Sequence, residues 1–399
     1  MLLNVTTTPF NLMFAPSRHP TICSNENNGN LHTMRYQTLC FFGAFSILIS
    51  GCGGEKISGE VENQPISIDE TVVTIEAIDS MWVSGPQNVI TSWNEQILIP
   101  SATGLLAINL DENGFVDRNH LFVENPSFLF EVQNNTLAAH ETNKVIFYSY
   151  DGIELNELSR TDEQSMRQVP FTSENGCFYW VATNYETSFS SFVWEACNVA
   201  DELNSSIKLI ARTDTFITNI IALPDNRLII AGKGDENTIL SLYKKQDDIY
   251  RRLSTVNESK TWFVLDMEYR DNYIYVDSGP SDTPGGFEAE GLVRYSLADD
   301  TLANKTIISS IIADNAQYDH IAVSPHGIIL GNDKKILHFI INSQGEVEKI
   351  VSAEVENSVA SVFVQGDFII TVLRDPPSSF NSGQTGPRGV HIYSLNSMM

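Results

Sequence analysis

The sequence is poor in positive charge. Its 399 residues include 24 Lys and Arg against 50 Asp and Glu, which gives a formal net charge of −26 at pH 7. Nucleic-acid-binding surfaces are basic, so this balance predicts no nucleic-acid partner. Anionic lipid surfaces should likewise repel the body of the protein. An alternative explanation of the negative charge is that it keeps the protein soluble in a cation-rich medium.

Helical periodicity and the common enzyme motifs are also missing. Beyond the N-terminal region, no stretch keeps apolar residues at helical spacing. The sequence contains no His-Glu-x-x-His, Gly-x-Ser-x-Gly, phosphate-loop or Cys-x-x-Cys motif. These absences favour a binding protein over an enzyme, while they leave catalysis open. They also leave the ligand undefined.

What the chain does contain is a repeated pattern of short apolar runs joined by tight turns. Residues 318–351 show it best, with four runs separated by Ser-Pro-His-Gly, Asn-Asp-Lys-Lys and Ser-Gln-Gly turns. This pattern predicts an antiparallel meander of four strands. A four-stranded sheet this apolar has two faces to cover. Copies arranged around an axis cover both faces, as in a β-propeller.

The first turn of this unit recurs along the chain at spacings that each suit one four-stranded blade. Each recurrence is flanked by runs rich in Val, Ile, Phe, Tyr and Trp, the residues that strands prefer. One turn per blade predicts an all-β, seven-bladed β-propeller over residues 71–399. The turns lie at Asn94, Asn134, Asn175, Asn226, Asn272, Gly327 and Gly366.

The two ends of the repeat region complement each other. The seventh repeat stops after its third strand, VHIYSL, whereas the strand-like segment Thr71–Ile78 precedes the first repeat. If this N-terminal segment supplies the outer strand of blade seven, the ring closes without an unpaired sheet edge. The sequence therefore predicts closure by Thr71–Ile78.

One repeat also carries a family resemblance. The run IAVSPHGIIL in the sixth repeat resembles the repeats of the YVTN and NHL types of bacterial propeller, which have a similar strand, Ser-Pro-Asp-Gly turn and strand. The resemblance spans residues 71–397 and implies the propeller fold without a specific function. The chain lacks the Trp-Asp pair, the kelch double glycine and the repeated Gly-Trp signature of other propeller classes.

The first 51 residues do not belong to this fold. Residues 1–33 are rich in Asn and Thr without any period, and we predict that they are a non-native extension, with the physiological start at Met34. Residues 34–51 combine a short basic start, an apolar run over 39–49 and small residues before Cys52. That combination predicts a secretory signal peptide, since the apolar run is too short to span a bilayer.

The end of this signal has a second resemblance. The residues Ile49-Ser50-Gly51-Cys52 resemble the lipobox of bacterial lipoproteins. In that family the chain is cleaved before the cysteine, which receives a diacylglycerol, and the new N-terminus is acylated with a chain such as palmitate. The resemblance implies that Cys52 is lipidated and that the protein stays on a membrane. A secretory signal without lipid is the alternative.

The residues after Cys52 suggest a cellular location and a tether. Gly53, where some lipoproteins have Asp, resembles the default for sorting to the outer membrane, so the expected location is the cell envelope. The segment 52–70 is polar, acidic and punctuated by Gly and Pro. This composition predicts a flexible tether between the lipid and the propeller.

Two cysteines remain for a disulfide. Cys23 and Cys40 precede the cleavage site and Cys52 is assigned to lipid, which leaves Cys177 and Cys197 in a compartment that permits disulfides. Folding the second strand of blade three onto the third places these two cysteines opposite each other. The pairing predicts a bridge worth roughly 3 kcal/mol of stability. Two buried free thiols are the alternative, because cross-strand pairs must meet tight geometry.

The candidate binding residues lie in long connections between second and third strands. These connections share one face of a propeller with the links between blades, and the longest run from Pro280 to Gly291 in blade five and from Pro376 to Gly389 in blade seven. Long loops on a rigid scaffold are a common place for binding. Insertions tolerated without a ligand are the alternative. The predicted binding residues are Asp282, Phe287, Glu288, Glu290, Arg374, Phe380 and Arg388.

A second group of candidates lies at the channel mouth on the same face. Trp262 begins blade five, and Asp319 and His320 begin blade six, so they could contact a small ligand. An Asp-His pair at the start of a strand also has a structural explanation, namely a hydrogen bond that holds the strand.

Two functions fit these residues. The first is a lipid-anchored envelope propeller that binds a protein or a glycan and needs no cofactor. The second is a propeller hydrolase or lyase, similar to a lactonase, with a divalent metal in the channel. A metal enzyme needs several carboxylate, Asn or His ligands that converge at the channel mouth.

Overall fold

The fold is described from a computed structural model of the chain. The chain divides into two units, Met1–Glu60 and Val61–Met399, and every described residue lies in the second. The predictions for residues 1–33, for the signal peptide over 34–51 and for Cys52 therefore lie outside the described residues. The structure describes residues 68–83, 90–94, 96–101, 104–111, 114–122, 130–133, 135–141, 144–161, 171–184, 190–199, 207–234, 237–258, 262–279, 290–310, 321–374 and 388–399.

The described residues form 29 strands and one short 3-10 helix, Leu395–Met398. The strands are β1 (Glu70–Val73), β2 (Asp79–Val83), β3 (Thr91–Trp93), β4 (Gln96–Ser101), β5 (Gly104–Asp111), β6 (Gly114–Phe122), β7 (Phe130–Gln133), β8 (Thr136–Glu141), β9 (Lys144–Tyr150), β10 (Leu155–Arg160), β11 (Phe171–Glu174), β12 (Cys177–Asn184), β13 (Ser190–Cys197), β14 (Ile207–Thr213), β15 (Phe216–Leu223), β16 (Arg227–Lys233), β17 (Thr238–Gln246), β18 (Ile249–Glu258), β19 (Phe263–Arg270), β20 (Tyr273–Gly279), β21 (Gly291–Ala298), β22 (Thr301–Ser309), β23 (Ile321–Ser324), β24 (Gly327–Asn332), β25 (Lys335–Ile341), β26 (Val347–Glu354), β27 (Ser358–Gln365), β28 (Phe368–Arg374) and β29 (Arg388–Ser394).

These strands make seven antiparallel meanders. Blades one to five are β3–β6, β7–β10, β11–β14, β15–β18 and β19–β22, and blade six is β23–β26. Blade seven contains β27–β29 and is completed by β2. The predicted all-β, seven-bladed fold is therefore confirmed. Within the part of the chain that the structure describes, no helix is long and apolar enough to cross a membrane.

The ring closes through an N-terminal strand as predicted, but the predicted segment was wrong. The closing strand is β2, which pairs antiparallel with β29, and not Thr71–Ile78. Met81 and Val83 of β2 are buried in the core of blade seven. The Asp79 carboxylate also accepts a hydrogen bond from the Phe115 amide of blade one at 3.1 Å, which joins the two ends of the ring.

The segment that was expected to close the ring does something else. Its first part forms β1, which pairs in parallel with β26 as a fifth strand on blade six. Val73 and Ile75 pack between blades six and seven. Both N-terminal segments are strand-like, and each covers a sheet edge that would otherwise be left open.

Turn residues explain the spacing of the repeat. Asn94, Asn175, Asn226 and Asn272 all have positive φ, between 52° and 64°. Asn tolerates this left-handed conformation because its short polar side chain can bond locally. Gly327 meets a different need, since a Cβ there would lie 1.8 Å from the carbonyl oxygen of Phe339. The turns therefore select Asn or Gly for local backbone reasons.

The core lies between the blades. The largest fully buried side chains include Trp180, Trp262, Tyr275 and Phe339, each of which faces a neighbouring blade. Burying one side chain of this kind contributes about 1.5–3 kcal/mol. Each blade is thus stabilised by its two neighbours, and a gap in the ring would expose two apolar faces.

The disulfide prediction is confirmed. Cys177 and Cys197 lie directly opposite in β12 and β13, with their Cα atoms 4.0 Å apart, and are bonded to each other. The bridge joins the start of β12 to the end of β13, next to the buried Glu195. Glu195 Oε1 accepts hydrogen bonds from Lys245 Nζ at 2.8 Å and from the Tyr250 hydroxyl at 3.2 Å. Glu195 thus links blade three to blade four next to the bridge.

Candidate binding face

The strand order separates the connections into two faces. Links from second to third strands, and links between blades, lie on one face, which we call the loop face. The turns from first to second and from third to fourth strands lie on the other, the turn face. In most blades the third strand follows the second after a short turn, as from Ser101 to Gly104 in blade one. The connections from Gly279 to Gly291 in blade five and from Arg374 to Arg388 in blade seven are much longer.

Several predicted site residues lie outside the described residues. They are Asp282, Phe287, Glu288, Asp319, His320 and Phe380. Arg374 and Arg388 are described as strand ends. Arg374 ends β28 opposite Ser358, and Arg388 begins β29 opposite Val83. The two arginines thus mark where the long connection of blade seven leaves the sheet and returns to it.

Glu290 lies at the end of the long connection of blade five. Its backbone amide donates to Ser278 Oγ at 2.8 Å, and Ser278 Oγ donates to the Gly291 carbonyl at 2.9 Å. The Glu290 carboxylate forms an ion pair with Lys305, which also contacts Glu258 at 2.5 Å. Glu290 is therefore half-buried and already paired, and it fixes the base of the loop.

Trp262, which was expected at the channel mouth, lies in the core. Its side chain is fully buried in the cluster between blades four and five. Its backbone amide donates to Thr238 Oγ1 at 3.0 Å, and the Thr238 hydroxyl donates to the Trp262 carbonyl at 2.7 Å. This burial supports a structural role for the residue that begins blade five.

A pair of carboxyl groups near the loop face was missed in the sequence. Asp266 of β19 and Asp277 of β20 lie directly opposite each other. The half-buried Asp266 accepts hydrogen bonds from the amides of Met267 at 2.8 Å and Ile321 at 3.0 Å. Asp277 is fully buried, and neither of its oxygens has a hydrogen-bond partner of good geometry among the described residues.

The surroundings of Asp277 favour its neutral form. Burial, reinforced by repulsion from Asp266, raises the pKa of Asp277 to about 8, although the nearby Ser278 amide partly opposes this. Two carboxyls in one low-dielectric site cannot both ionise easily, so one keeps its proton. At neutral pH we therefore expect Asp277 to be protonated.

The strand that carries Asp266 also forms hydrogen bonds with both neighbouring blades. The Asn219 side-chain amide of blade four donates to the Leu265 carbonyl at 3.0 Å, and Asp266 accepts from blade six. Leu265 is the extra residue of a bulge between Val264 and Asp266. Bulges re-aim side chains. Here the bulge directs Asp266 across the interface toward β23.

Metal ligands do not converge at the channel mouth within the described ranges. There, the one group of three His, Cys, Asp or Glu side chains close enough to share an ion is Cys177, Glu195 and Cys197. The two sulfurs of that group are joined in the disulfide. Asp266 and Asp277 offer two carboxyls and no third ligand of these types.

One residue on the outer strand of blade seven was also missed. Trp82 is 67% exposed on β2, opposite Gly389, whereas its neighbours Met81 and Val83 are buried. Alternation along MWV indicates an exposed Trp once the strand is known. The wrong choice of closing strand concealed it.

Comparisons with known proteins agree with this fold. No protein-family model and no curated protein matches the sequence. Solved structures do match. The structure of U3-55K has a TM-score of 0.51 at 10% identity, covering 79% of this chain and 99% of that chain. The chain is a seven-bladed β-propeller.

Two further structures support the same conclusion. The Pan2 WD40 domain of Neurospora crassa has a TM-score of 0.50 at 9% identity, covering 81% of this chain and 97% of that chain. The RRP9 WD40 repeats have a TM-score of 0.50 at 10% identity, covering 80% and 100%. At these identities the propeller shares architecture with WD40 structures and no function follows from the match.

Proposed function

We propose that this protein is a lipid-anchored propeller of the cell envelope, and that its loop face binds a protein or glycan partner. The observation that carries the proposal is the unequal length of the connections between second and third strands on that face. Among the connections from second to third strands, those of blades five and seven, from Gly279 to Gly291 and from Arg374 to Arg388, are far longer than the corresponding ones of the other blades, and they flank blade six. Long connections grouped on one side of a rigid scaffold are typical of binding sites.

The base of the long loop of blade five is suited to holding that loop in place. In blade five, Lys305 pairs with both Glu258 and Glu290, and the Tyr295 hydroxyl donates to Glu258 Oε1 at 2.7 Å. These side chains are mostly buried, so their interactions are less screened than those of surface ion pairs. A fixed loop base reduces the entropy that is lost when a partner binds.

The test is partner capture from native envelopes with the tagged protein, followed by mass spectrometry. Replacing both Phe287 and Phe380 with Ser should reduce recovery of the partner, because each belongs to one of the long connections. The matched control is Ile153→Ser. Ile153 is 67% exposed in a tight turn on the turn face, so the change removes a comparable apolar side chain from the opposite side.

The melting temperature of each variant should equal that of the native protein. An unchanged partner set for the double variant, or a loss confined to Ile153→Ser, would contradict the assignment of the loop face. The long connections would then be insertions without a ligand.

The hydrolase or lyase alternative depends on a metal in the channel. Asp266 and Asp277 are the carboxyl pair that could contribute to it, and Asp266 is bonded to the strand start of blade six. Because no third ligand joins them among the described residues, we place the binding function first. Stoichiometric calcium, magnesium or zinc in the purified protein, lost in an Asp266→Asn variant, would reverse that order.

A further inference from the structure

The disulfide of blade three lies beside a carboxylate. Cys177 and Cys197 pair directly across β12 and β13, and Glu195 precedes Cys197 by two residues. Glu195 is buried toward blade four, where its Oε1 accepts hydrogen bonds from Lys245 and Tyr250. Alternate residues of a strand share one face, so Cys197 points the same way. Two sulfurs and a carboxylate therefore meet between blades three and four, next to the turn from β11 to β12 on the turn face.

The contact between sulfur and carboxylate has no bonding role while the bridge is intact. The Cys197 sulfur lies 3.3 Å from Glu195 Oε1. A bridged sulfur carries no proton, so this approach is not a hydrogen bond in the oxidised protein. Reduction changes the chemistry, because a thiol can donate to the carboxylate and a thiolate is a strong zinc ligand. The contact therefore gains a function only in the reduced protein.

The sheet should keep the two sulfurs together after reduction. β12 and β13 pair at eight successive positions, from Cys177 opposite Cys197 to Asn184 opposite Ser190, and both strands lie in the middle of their sheet. The two sulfurs on one tetrahedral zinc are about 3.8 Å apart, because each Zn–S bond is about 2.3 Å long. Rotation of the two side chains supplies this separation while the strands stay paired. Both cysteines are half-buried, so a reductant can reach them.

The charges of this group match those of a divalent cation. The two sulfurs and a Glu195 oxygen all lie within 4.8 Å of one another. Two thiolates and one carboxylate carry three negative charges, which Zn²⁺ and the Lys245 ammonium, 2.8 Å from Glu195, would balance. A carboxylate has about four lone-pair sites, so Glu195 can bind a metal while Lys245 still donates to it. Thiolate ligands select zinc over calcium and magnesium.

We propose that the bridge is one state of a redox-dependent zinc site, in which Cys177, Cys197 and Glu195 are the ligands and water takes the fourth position. A dithiol, such as that of a thioredoxin-type oxidoreductase, reduces the S–S bond to two thiols and is itself oxidised to a disulfide. Zinc then binds both sulfurs and displaces their two protons. The reverse exchange with a disulfide restores the bridge and releases the zinc. The bridge is the resting form in an oxidising compartment.

The test uses the full chain with cobalt(II) as the probe. Thiolate ligands give cobalt a near-ultraviolet charge-transfer band, and tetrahedral coordination gives it intense visible bands. The reductant is tris(carboxyethyl)phosphine, which takes an oxygen from water as it cleaves the disulfide and does not compete for metal as a dithiol would. The reduced protein should show both sets of bands with equimolar cobalt, and zinc should displace the cobalt. The oxidised protein should show neither.

Two variants assign the ligands. The double change Cys177→Ser and Cys197→Ser keeps the other three of the five cysteines and should abolish the charge-transfer band. Glu195→Gln keeps both thiols and should weaken cobalt binding by about tenfold or more. The circular dichroism of each reduced protein reports whether the strands stay paired.

The outcomes decide the proposal independently of the loop face, because the site lies next to the turn face. A native circular dichroism spectrum together with the expected cobalt bands would support it. Reduced protein that unfolds, or that stays folded without a charge-transfer band, would overturn it. The same band in the double serine variant would assign the metal to other cysteines, and equal cobalt affinity of Glu195→Gln and native protein would remove the carboxylate from the site. Either result also overturns the proposal.

Discussion

Asp277 is a carboxyl at a position of the repeat where two other blades have apolar residues. It lies on the second strand of blade five, opposite Asp266. The corresponding residues opposite Asn219 in blade four and Ser361 in blade seven are Ala231 and Val372. Blade five therefore places a carboxyl where the other two blades have apolar side chains.

This position makes stability depend on pH. An unfolded Asp titrates near pH 4, while burial and Asp266 raise the pKa of Asp277 to about 8 in the fold. Between these values the folded state holds a proton that the unfolded state lacks. Stability contributed by this group is therefore fully present below pH 4 and is lost as pH rises, by about 1.4 kcal/mol per unit at most, until pH 8.

The variant that tests this is Asp277→Asn, which resembles the protonated carboxyl in shape and cannot ionise. We expect its unfolding free energy, measured in urea, to exceed that of the native protein at pH 8 and to approach it near pH 5. Asp266→Asn should also raise stability at pH 8, since it removes the repulsion, although it gives up charge-assisted bonds to two amides. Equal pH profiles for native protein and Asp277→Asn would show that Asp277 is ionised in the fold.

At the scale of single elements, the decisive strand is β2. It supplies the fourth strand of blade seven and contacts blade one through Asp79. β1, in contrast, adds to an edge of blade six that already has four strands. Loss of β2 would open the ring, whereas loss of β1 would only remove the outermost strand of blade six.

Nested truncations of the N-terminus test this difference. A chain that starts at Ile78 keeps β2 and should stay monomeric with a lowered melting temperature, because Val73 and Ile75 leave the core. A chain that starts at Ser84 exposes the edge of β29 and should aggregate. Size-exclusion chromatography and thermal melting give the answer. Equal behaviour of the two chains would mean that β2 does not close the ring.

The closing strand also illustrates what a sequence can and cannot predict. The seven blades and the Cys177–Cys197 bridge follow from turn residues and apolar runs, which act locally. The choice between two neighbouring strand-like segments depends on pairing across the ring, which leaves no local mark. TVVTIEAI has the stronger strand composition, yet DSMWV provides the closing strand because its buried residues fill blade seven.

The candidate site could be predicted only in part, for a similar reason. Loop lengths can be read from the sequence, so the long connections of blades five and seven were found. The pairing of Asp266 with Asp277 depends on the bulge at Leu265, which shifts the register by one residue. Trp262 was expected at the channel mouth because it begins blade five, but its side chain is buried in the cluster between blades four and five.

At the scale of the whole molecule, the proposed attachment to a membrane has a physical requirement. The chain has a net charge of −26, and the exposed Trp82 and Val72 offer little apolar area. Even a single acyl chain gives only marginal binding, and stable attachment takes a second signal. Retention should therefore depend on the lipid proposed at Cys52.

Replacing Cys52 with Ala should release the protein into the soluble periplasmic fraction and abolish labelling with palmitate analogues. The matched control is the double change Cys177→Ser and Cys197→Ser, which removes cysteines without touching the anchor. That control should remain in the membrane fraction and unfold more easily, by roughly 3 kcal/mol, since it loses a bridge across 20 residues. A Cys52→Ala protein that still sediments with membranes and takes up the label would contradict the anchor.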